Sequence, residues 1–209
     1  MKKALLFFWI VFICSGVSFG KGKNIQLSIY GGMSCVLEYG SEDDYVLGKN
    51  DFPVTPTHIS ACLGTNFAYF FSERFGINLD ASYFFKSEIT LEDPSDQDTV
   101  DIDTSNHVSL TLNLHYSLSK EKFRPYLYLG GGFDKLLAKD RTYISEYGYK
   151  IDVLVPENTI DPLVQAGAGI QYFINPGFGI SADIRYVFLF AEPDNIRSFN
   201  AYLSAFIRF

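Results

Sequence analysis

The chain has 209 residues, a length typical of one domain. Apolar residues make up 47% of it, aromatic residues 17% and charged residues 20%, which excludes an intrinsically disordered chain. A net charge of −7 offers no basic surface for phosphates, so no nucleic acid is expected as a partner, and the three cysteines give no disulfide framework.

The first residues have the pattern of a secretory signal peptide. Two lysines precede an unbroken apolar run over residues 4–14, and small residues follow that run. Cleavage is predicted between Gly20 and Lys21, which defines a signal peptide over residues 1–20. An uncleaved anchor is disfavoured, because the apolar run is shorter than the ~20 residues that a spanning helix needs.

The rest of the chain alternates between apolar and polar residues, which indicates β-strands with two chemically different faces. Eight segments follow this period of two: residues 25–37, 59–71, 75–86, 107–118, 125–137, 162–174, 178–188 and 198–209. Long connections alternate with short ones: the long ones are residues 40–56, 87–105, 138–161 and 189–197. This layout predicts an all-β fold, a closed antiparallel eight-stranded up-and-down transmembrane β-barrel domain over residues 21–209.

The size of the apolar side chains decides which face of the strands points outward. The apolar set contains many aromatic residues, with Phe67, Tyr116 and Phe199 among them. The interior of an eight-stranded barrel is only just wide enough to be filled by side chains, so this set is expected to face lipid. The polar set is then expected to fill the lumen. A soluble barrel of the lipocalin type, with the apolar set inside, is the alternative.

Four segments, taken in chain order, are similar to a known family. They are residues 124–132, which end in three glycines, the Ala-Gly repeat at 166–169, residues 183–186, and the ending at 202–209. They resemble the eight-stranded OmpA/OmpX-type outer-membrane β-barrel domain. The resemblance implies a cell outer-membrane location, contact with outer-membrane lipid or lipopolysaccharide, and insertion by the barrel-assembly machinery. It also implies that Phe209 serves as an assembly signal.

The charged residues of the polar set are nearly balanced in sign. The acids are Glu38, Asp80, Asp134 and Asp183, and the bases are Lys86, Arg185 and Arg208. Unpaired charges are costly in a lumen of low dielectric constant, so these groups are expected to pair. A lumen network of Asp80, Asp183, Arg185 and Tyr202 is predicted near mid-strand. Such filling disfavours a wide channel and leaves a narrow small-solute pore as an alternative function.

Two His-x-Ser pairs carry the alternative that the chain is a lipid-modifying enzyme. His58 lies two residues before Ser60, and His107 two residues before Ser109, an arrangement similar to that of outer-membrane lipid A deacylases. Both pairs fall on the predicted lumen face, away from lipid acyl chains, so polar filling is the favoured interpretation. No catalytic, metal-binding or cofactor-binding residue is assigned, and the chain is not expected to be an enzyme.

The long loops are the segments best suited to contact a partner. Residues 87–105 contain seven acids and no base, which is typical of a solvated acidic loop, with weak Ca²⁺ or Mg²⁺ binding as the alternative. Residues 141–149 contain three tyrosines, a residue type enriched at binding surfaces. The sequence therefore predicts a structural or interaction role, with an extracellular protein ligand bound through surface-exposed loops.

Overall fold

The computed structural model describes residues 24–38, 59–92, 99–103, 106–137, 141–144, 150–153, 160–191 and 195–209. The predicted signal peptide, with its cleavage point between Gly20 and Lys21, lies outside the described residues. Within these ranges, no helix is long and apolar enough to cross a membrane.

The described chain consists of strands joined by turns and loops. In chain order they are β1 (Ile25–Glu38), β2 (Ile59–Phe70), β3 (Phe75–Phe84), β4 (Glu88–Glu92), β5 (Thr99–Asp103), β6 (Asn106–Ser117), β7 (Phe123–Leu137), β8 (Arg141–Ile144), β9 (Lys150–Val153), β10 (Ile160–Asn175), β11 (Phe178–Leu189) and β12 (Ile196–Arg208). The eight long strands form a closed barrel in the order β1-β12-β11-β10-β7-β6-β3-β2. The predicted fold class is confirmed. The structure also contains two small hairpins that were not predicted, β4–β5 and β8–β9, and both lie within the predicted long loops.

The last strand closes the barrel against the first. Gln26 lies in register with Arg208, and the pairing continues along both strands. The backbone N–H of Phe209 donates to the carbonyl of Ile25, and the N–H of Ile25 donates to the carbonyl of Phe209, each at 2.9 Å. Because this seam pairs the two edge strands, the barrel has no open edge, as a lipid environment requires.

Tight turns gather at the end of the barrel that also holds residues 24 and 209. Between β2 and β3, the Ser72 hydroxyl accepts a 2.9 Å hydrogen bond from the Phe75 N–H. Between β10 and β11, the Asn175 side chain accepts one from the Gly177 N–H at 2.9 Å. We call this the turn end, and the opposite end, where the long connections leave the strands, the loop end.

Large apolar side chains cover the outside of the barrel. Leu203, Leu129 and Ile184 are 72%, 62% and 61% exposed, and β2 alternates between exposed and buried positions along most of its length. Water does not tolerate so much contiguous apolar surface, whereas the hydrocarbon core of a bilayer does. The predicted face assignment is therefore confirmed, and the soluble-barrel alternative is excluded.

The lumen is less polar than the alternation predicts. Phe70, Phe84, Phe173 and Phe206 point inward and are no more than 5% exposed. At the turn end, the rings of Phe173 and Phe206 pack edge to face with 5.0 Å between centroids, and the guanidinium of Arg208 lies 4.2 Å from the centroid of Phe70. An aromatic layer therefore fills this end, where only polar filling was expected.

Candidate functional site

An arginine at the centre of the lumen is bound by two carboxylates. Arg185 on β11 donates from Nη1 to Oδ1 of Asp80 at 3.1 Å and from Nε to Oδ1 of Asp183 at 2.8 Å. All three residues are at least 90% buried. At this depth the pairing offsets the cost of removing the charges from water, and it also ties β3 to β11 across the lumen.

Tyrosines surround this ion pair and complete its hydrogen bonding. Tyr30 donates to Oδ1 of Asp80 at 2.6 Å, while Tyr126 and Tyr128 donate to the two carboxylate oxygens of Asp183 at 3.1 and 3.2 Å. The Arg185 guanidinium also lies 4.2 Å from the Tyr202 ring centroid, within cation–π range. We call these seven residues the arginine hub: Tyr30, Asp80, Tyr126, Tyr128, Asp183, Arg185 and Tyr202. The hub contains all four residues of the predicted lumen network.

Glycines on the lumen wall make room for the hub tyrosines, and Gly64 and Gly169 are two of them. A Cβ atom at Gly64 would overlap the ring of Tyr30, and one at Gly169 would overlap the ring of Tyr126. Each glycine lies on the strand next to that of its tyrosine, so the ring occupies the space that a side chain would fill. Alternation along the strands places both glycines on the lumen face, but it does not connect them to particular rings.

The arginine hub divides the described lumen into two cavities that share no lining residue. The cavity at the turn end, lined by Gln26, His115 and Gln171 among others, has a volume of about 30 Å³. The cavity at the loop end has a volume of about 110 Å³. We call the second cavity the outer chamber. One water molecule needs roughly 10–15 Å³ of cavity volume. The cavity at the turn end therefore has room for about two waters, and the outer chamber for about eight.

An acid, a histidine and a serine meet in the outer chamber. His107 Nδ1 lies 2.8 Å from Oδ2 of Asp134, and the Ser109 hydroxyl donates to the same oxygen. The His107 ring stacks on Phe84, with 4.2 Å between centroids and 5° between planes. The carboxylate thus occupies the position between histidine and serine. In a catalytic triad the histidine takes that position, so that it can accept the serine proton.

The remaining predicted lumen charges lie outside the arginine hub. Lys86 is exposed and follows the end of β3, and Arg208 lies over Phe70 at the turn end. Asp134 is 5% exposed and has no ion pair with lysine or arginine in the described chain. The hydrogen-bonded partners of Asp134 are His107 and Ser109, in place of the expected lysine or arginine. His58 and the Glu38 side chain lie outside what the structure describes.

Within the described ranges, no group of three histidine, cysteine, aspartate or glutamate side chains is arranged to hold a metal ion. Phe209 is half-buried at the barrel seam, where its backbone pairs with Ile25.

Comparisons with known proteins place the fold. No protein-family model and no curated protein sequence matches the chain. Among solved structures, Neisserial surface protein A (NspA) is similar with a TM-score of 0.57 at 13% identity, over 91% of this chain and 100% of that chain. The N-terminal β-barrel domain of Pseudomonas aeruginosa OprF gives 0.52 at 14% identity, over 90% and 100%. Ail, the attachment invasion locus protein of Yersinia pestis, gives 0.50 at 21% identity, over 89% and 99%.

These neighbours share the closed barrel described above. Together with the lipid-facing exterior, they confirm the predicted class: the chain is an integral β-barrel protein with the eight-stranded fold of outer-membrane proteins.

Proposed function

We propose that the chain is a structural and interaction barrel of the outer membrane, which anchors surface-exposed loops and neither conducts solutes nor catalyses a reaction. The arginine hub carries this proposal. Arg185 and the carboxylates of Asp80 and Asp183 lie across the lumen at mid-height, and aromatic rings pack around them. A side-chain plug of this kind suits a rigid membrane anchor, because every charged group in it already has a protein partner.

The narrow-pore alternative is less well supported by the same geometry. A permeating solute would have to displace Arg185 from two carboxylates, and breaking a buried ion pair is strongly unfavourable. At the turn end, Phe70, Phe173 and Phe206 add a second, aromatic obstruction. Conduction would therefore require the rearrangement of two layers.

The deacylase-like alternative is weakened by the orientation of its candidate residues. Ser109 donates its proton to Asp134 and not to His107, so the base is not placed to activate the nucleophile. Both residues also line the outer chamber, on the lumen side of a wall whose other face contacts lipid. The acyl chains of a lipid would have to enter the lumen to reach them.

The proposed partners follow from the location of each surface. The apolar exterior would contact outer-membrane lipid or lipopolysaccharide, and the last strand would be recognised by the barrel-assembly machinery. An extracellular protein ligand would bind at the loop end. The shared fold with Ail, the attachment invasion locus protein, is consistent with such a surface role.

Conductance of the purified barrel in planar lipid bilayers tests the closed lumen. We expect no stable conductance from the wild type and frequent openings from the double variant Arg185→Ala/Tyr202→Ala, in which the centre of the hub is removed. Lys122→Ala, at an exposed position near a turn, is the matched control and should stay closed. Stable wild-type conductance as large as that of the double variant would refute the closed lumen.

Mass spectrometry of lipid A tests the absence of catalysis. Lipid A from cells with and without the gene should have the same acyl chains. Loss of an acyl chain in the presence of the wild type, but not of Ser109→Ala, would favour the enzyme.

A further inference from the structure

The outer chamber is lined by both apolar and polar side chains. Its apolar lining includes Val36, Phe84, Leu136, Leu163, Val187 and Leu189, which come from five different barrel strands. Its polar lining includes Asp134 and Asn200. Small-molecule sites combine an apolar concavity with a few placed polar groups, and the mouth of a β-barrel is a common position for them.

One carboxylate of this chamber, that of Asp134, lies opposite a second acid, Asp161, and the described chain gives neither acid a balancing lysine or arginine. Asp134 on β7 is in direct register with Asp161 on β10, and both follow the inward phase of their strands. Like charges directly opposite each other destabilise a pair of strands, so this arrangement needs compensation. In the described chain, the ion pairs provide neither acid with a lysine or arginine partner.

The hydrogen bonds of Asp134 leave one of its oxygens available. His107 and Ser109 both contact Oδ2, and no hydrogen bond falls on Oδ1 within the described residues. This oxygen is not fully enclosed, and Asp134 is one of the residues that line the chamber. Asp134 therefore offers a negatively charged hydrogen-bond acceptor, its Oδ1, to a ligand bound in the outer chamber.

A second acceptor without a partner belongs to a residue of the chamber lining, although the atom itself is enclosed. Asn200 on β12 is 4% exposed, and its Oδ1 has no hydrogen-bond partner. Buried acceptors without donors are rare in folded proteins, and they indicate a missing donor such as a ligand or water. Asp80, at the floor, is already paired with Arg185, which lines the other cavity, so the chamber gains no free positive charge from the hub.

We propose that the outer chamber binds a small organic cation, a primary ammonium group carried on a short apolar body. The ammonium supplies the donors and the positive charge that Asp134 and Asp161 lack, since such a group has three N–H donors and no acceptor. The apolar body lies against the aliphatic walls. The space of about eight water molecules suits a ligand of this size, and the negative lining disfavours anions.

Nuclear magnetic resonance of the refolded, isotope-labelled barrel in detergent micelles tests the site, with 2-phenylethylammonium as the probe. We expect saturable shifts of backbone amides around Asp134 and Leu163. Either Asp134→Asn or Asp161→Asn should weaken the affinity by about tenfold or more, because each removes one attractive charge at close range. The uncharged analogue 2-phenylethanol should bind at least about tenfold more weakly to the wild type.

Glu73→Gln at the turn end is the matched control, since it removes the same charge away from the chamber. It should bind the ammonium probe as the wild type does. Heat-modifiable gel migration verifies that each variant is folded. If Asp134→Asn does not fold, Asp161→Asn, at a half-buried position, serves as the second variant. Absence of saturable shifts in the folded wild type would overturn the proposal. Equal affinity in all variants and for the uncharged analogue, which indicates partition into micelles only, would overturn it as well.

Discussion

Arg185 on β11 reaches across the lumen to Asp80 on β3, with 3.1 Å between Nη1 and Oδ1. The two strands are not neighbours in the barrel, since β10, β7 and β6 separate them on one side. The contact therefore joins walls that no backbone hydrogen bond connects. It makes Arg185 the residue on which the integrity of the hub depends most.

Arg185→Met should destabilise the barrel more than Asp183→Ala does. The first change leaves two buried carboxylates without their cation, a loss of about 3–5 kcal/mol. Asp183→Ala leaves Arg185 paired with Asp80, but Tyr126 and Tyr128 lose their acceptor, at a cost of about 1–3 kcal/mol. Urea titrations followed by heat-modifiable gel migration give both values. Equal losses, or a change of similar size in the exposed control Lys122→Met, would contradict this ranking.

The members of the arginine hub could be predicted from the sequence in part, but their pairing could not. Alternation showed that Asp80, Asp183, Arg185 and Tyr202 share the lumen face. It did not show that one arginine binds both acids, because contacts across a barrel depend on strand tilt and stagger. The face of a residue was thus predictable from its own strand, while its partner was not.

Gly64→Ala should disturb the hub, whereas Gly31→Ala should be tolerated. A methyl group at Gly64 overlaps the Tyr30 ring, which must then leave Asp80, at a cost of about 1–3 kcal/mol. At Gly31 the nearest atom is Cδ2 of the exposed Leu63 at 3.3 Å, which has room to shift. Unfolding midpoints of the two variants check this difference. If the Gly64→Ala barrel is as stable as the wild type, the Tyr30 ring can adopt another position without loss of stability.

The inward phenylalanines show where alternation fails as a guide. Phe70 and Phe84 end their strands with the ring inward, and the residue that follows each of them, Phe71 or Phe85, has its ring outward. The outward ring was predicted from its phase. The inward one was missed, because a polar lumen was assumed to continue to both rims. Phe173 and Phe206 were missed for the same reason.

The proximity of Asp134 and Asp161 could not be predicted from the sequence, for a different reason. Asp134 was expected to find a base among the lumen charges, and Asp161 was placed in a long connection. Their juxtaposition depends on the register of β7 and β10, which the structure provides. A shift of two residues in that register would have separated the acids while leaving every side chain on the same face.

Glu73→Gln should alter the acid dependence of stability slightly. Lys120 Nζ donates to Glu73 Oε2 between two turns, and this hydrogen bond and charge hold the pKa of Glu73 below its usual range. A lowered pKa in the folded state stabilises the fold above the usual carboxyl pKa, and this contribution is lost as the pH falls through the lowered value. Both side chains are more than half exposed, so the effect is small.

Urea midpoints at neutral and acidic pH test the role of this pair. The wild type should exceed Glu73→Gln at neutral pH and converge with it in acid, while Glu121→Gln, at an exposed position on a neighbouring turn, serves as the control. A constant difference between wild type and Glu73→Gln at every pH would show that the ionised carboxylate is not responsible.

Deletion of Phe209 should impair assembly more than stability. Its backbone makes two 2.9 Å hydrogen bonds to Ile25 at the seam, and its side chain is half-buried at the turn end. Loss of one rim side chain from a large lipid-facing surface should cost only about 1–3 kcal/mol in the refolded barrel. If the assembly machinery recognises the terminal aromatic, as the family resemblance implies, the amount of folded barrel in the outer membrane should fall by a much larger factor. Heat-modifiable migration measures the folded fraction in detergent and in membranes, and Phe209→Tyr, which keeps an aromatic ring, is the control. Membrane levels that match the wild type, with normal migration, would show that assembly of this chain does not depend on its terminal phenylalanine.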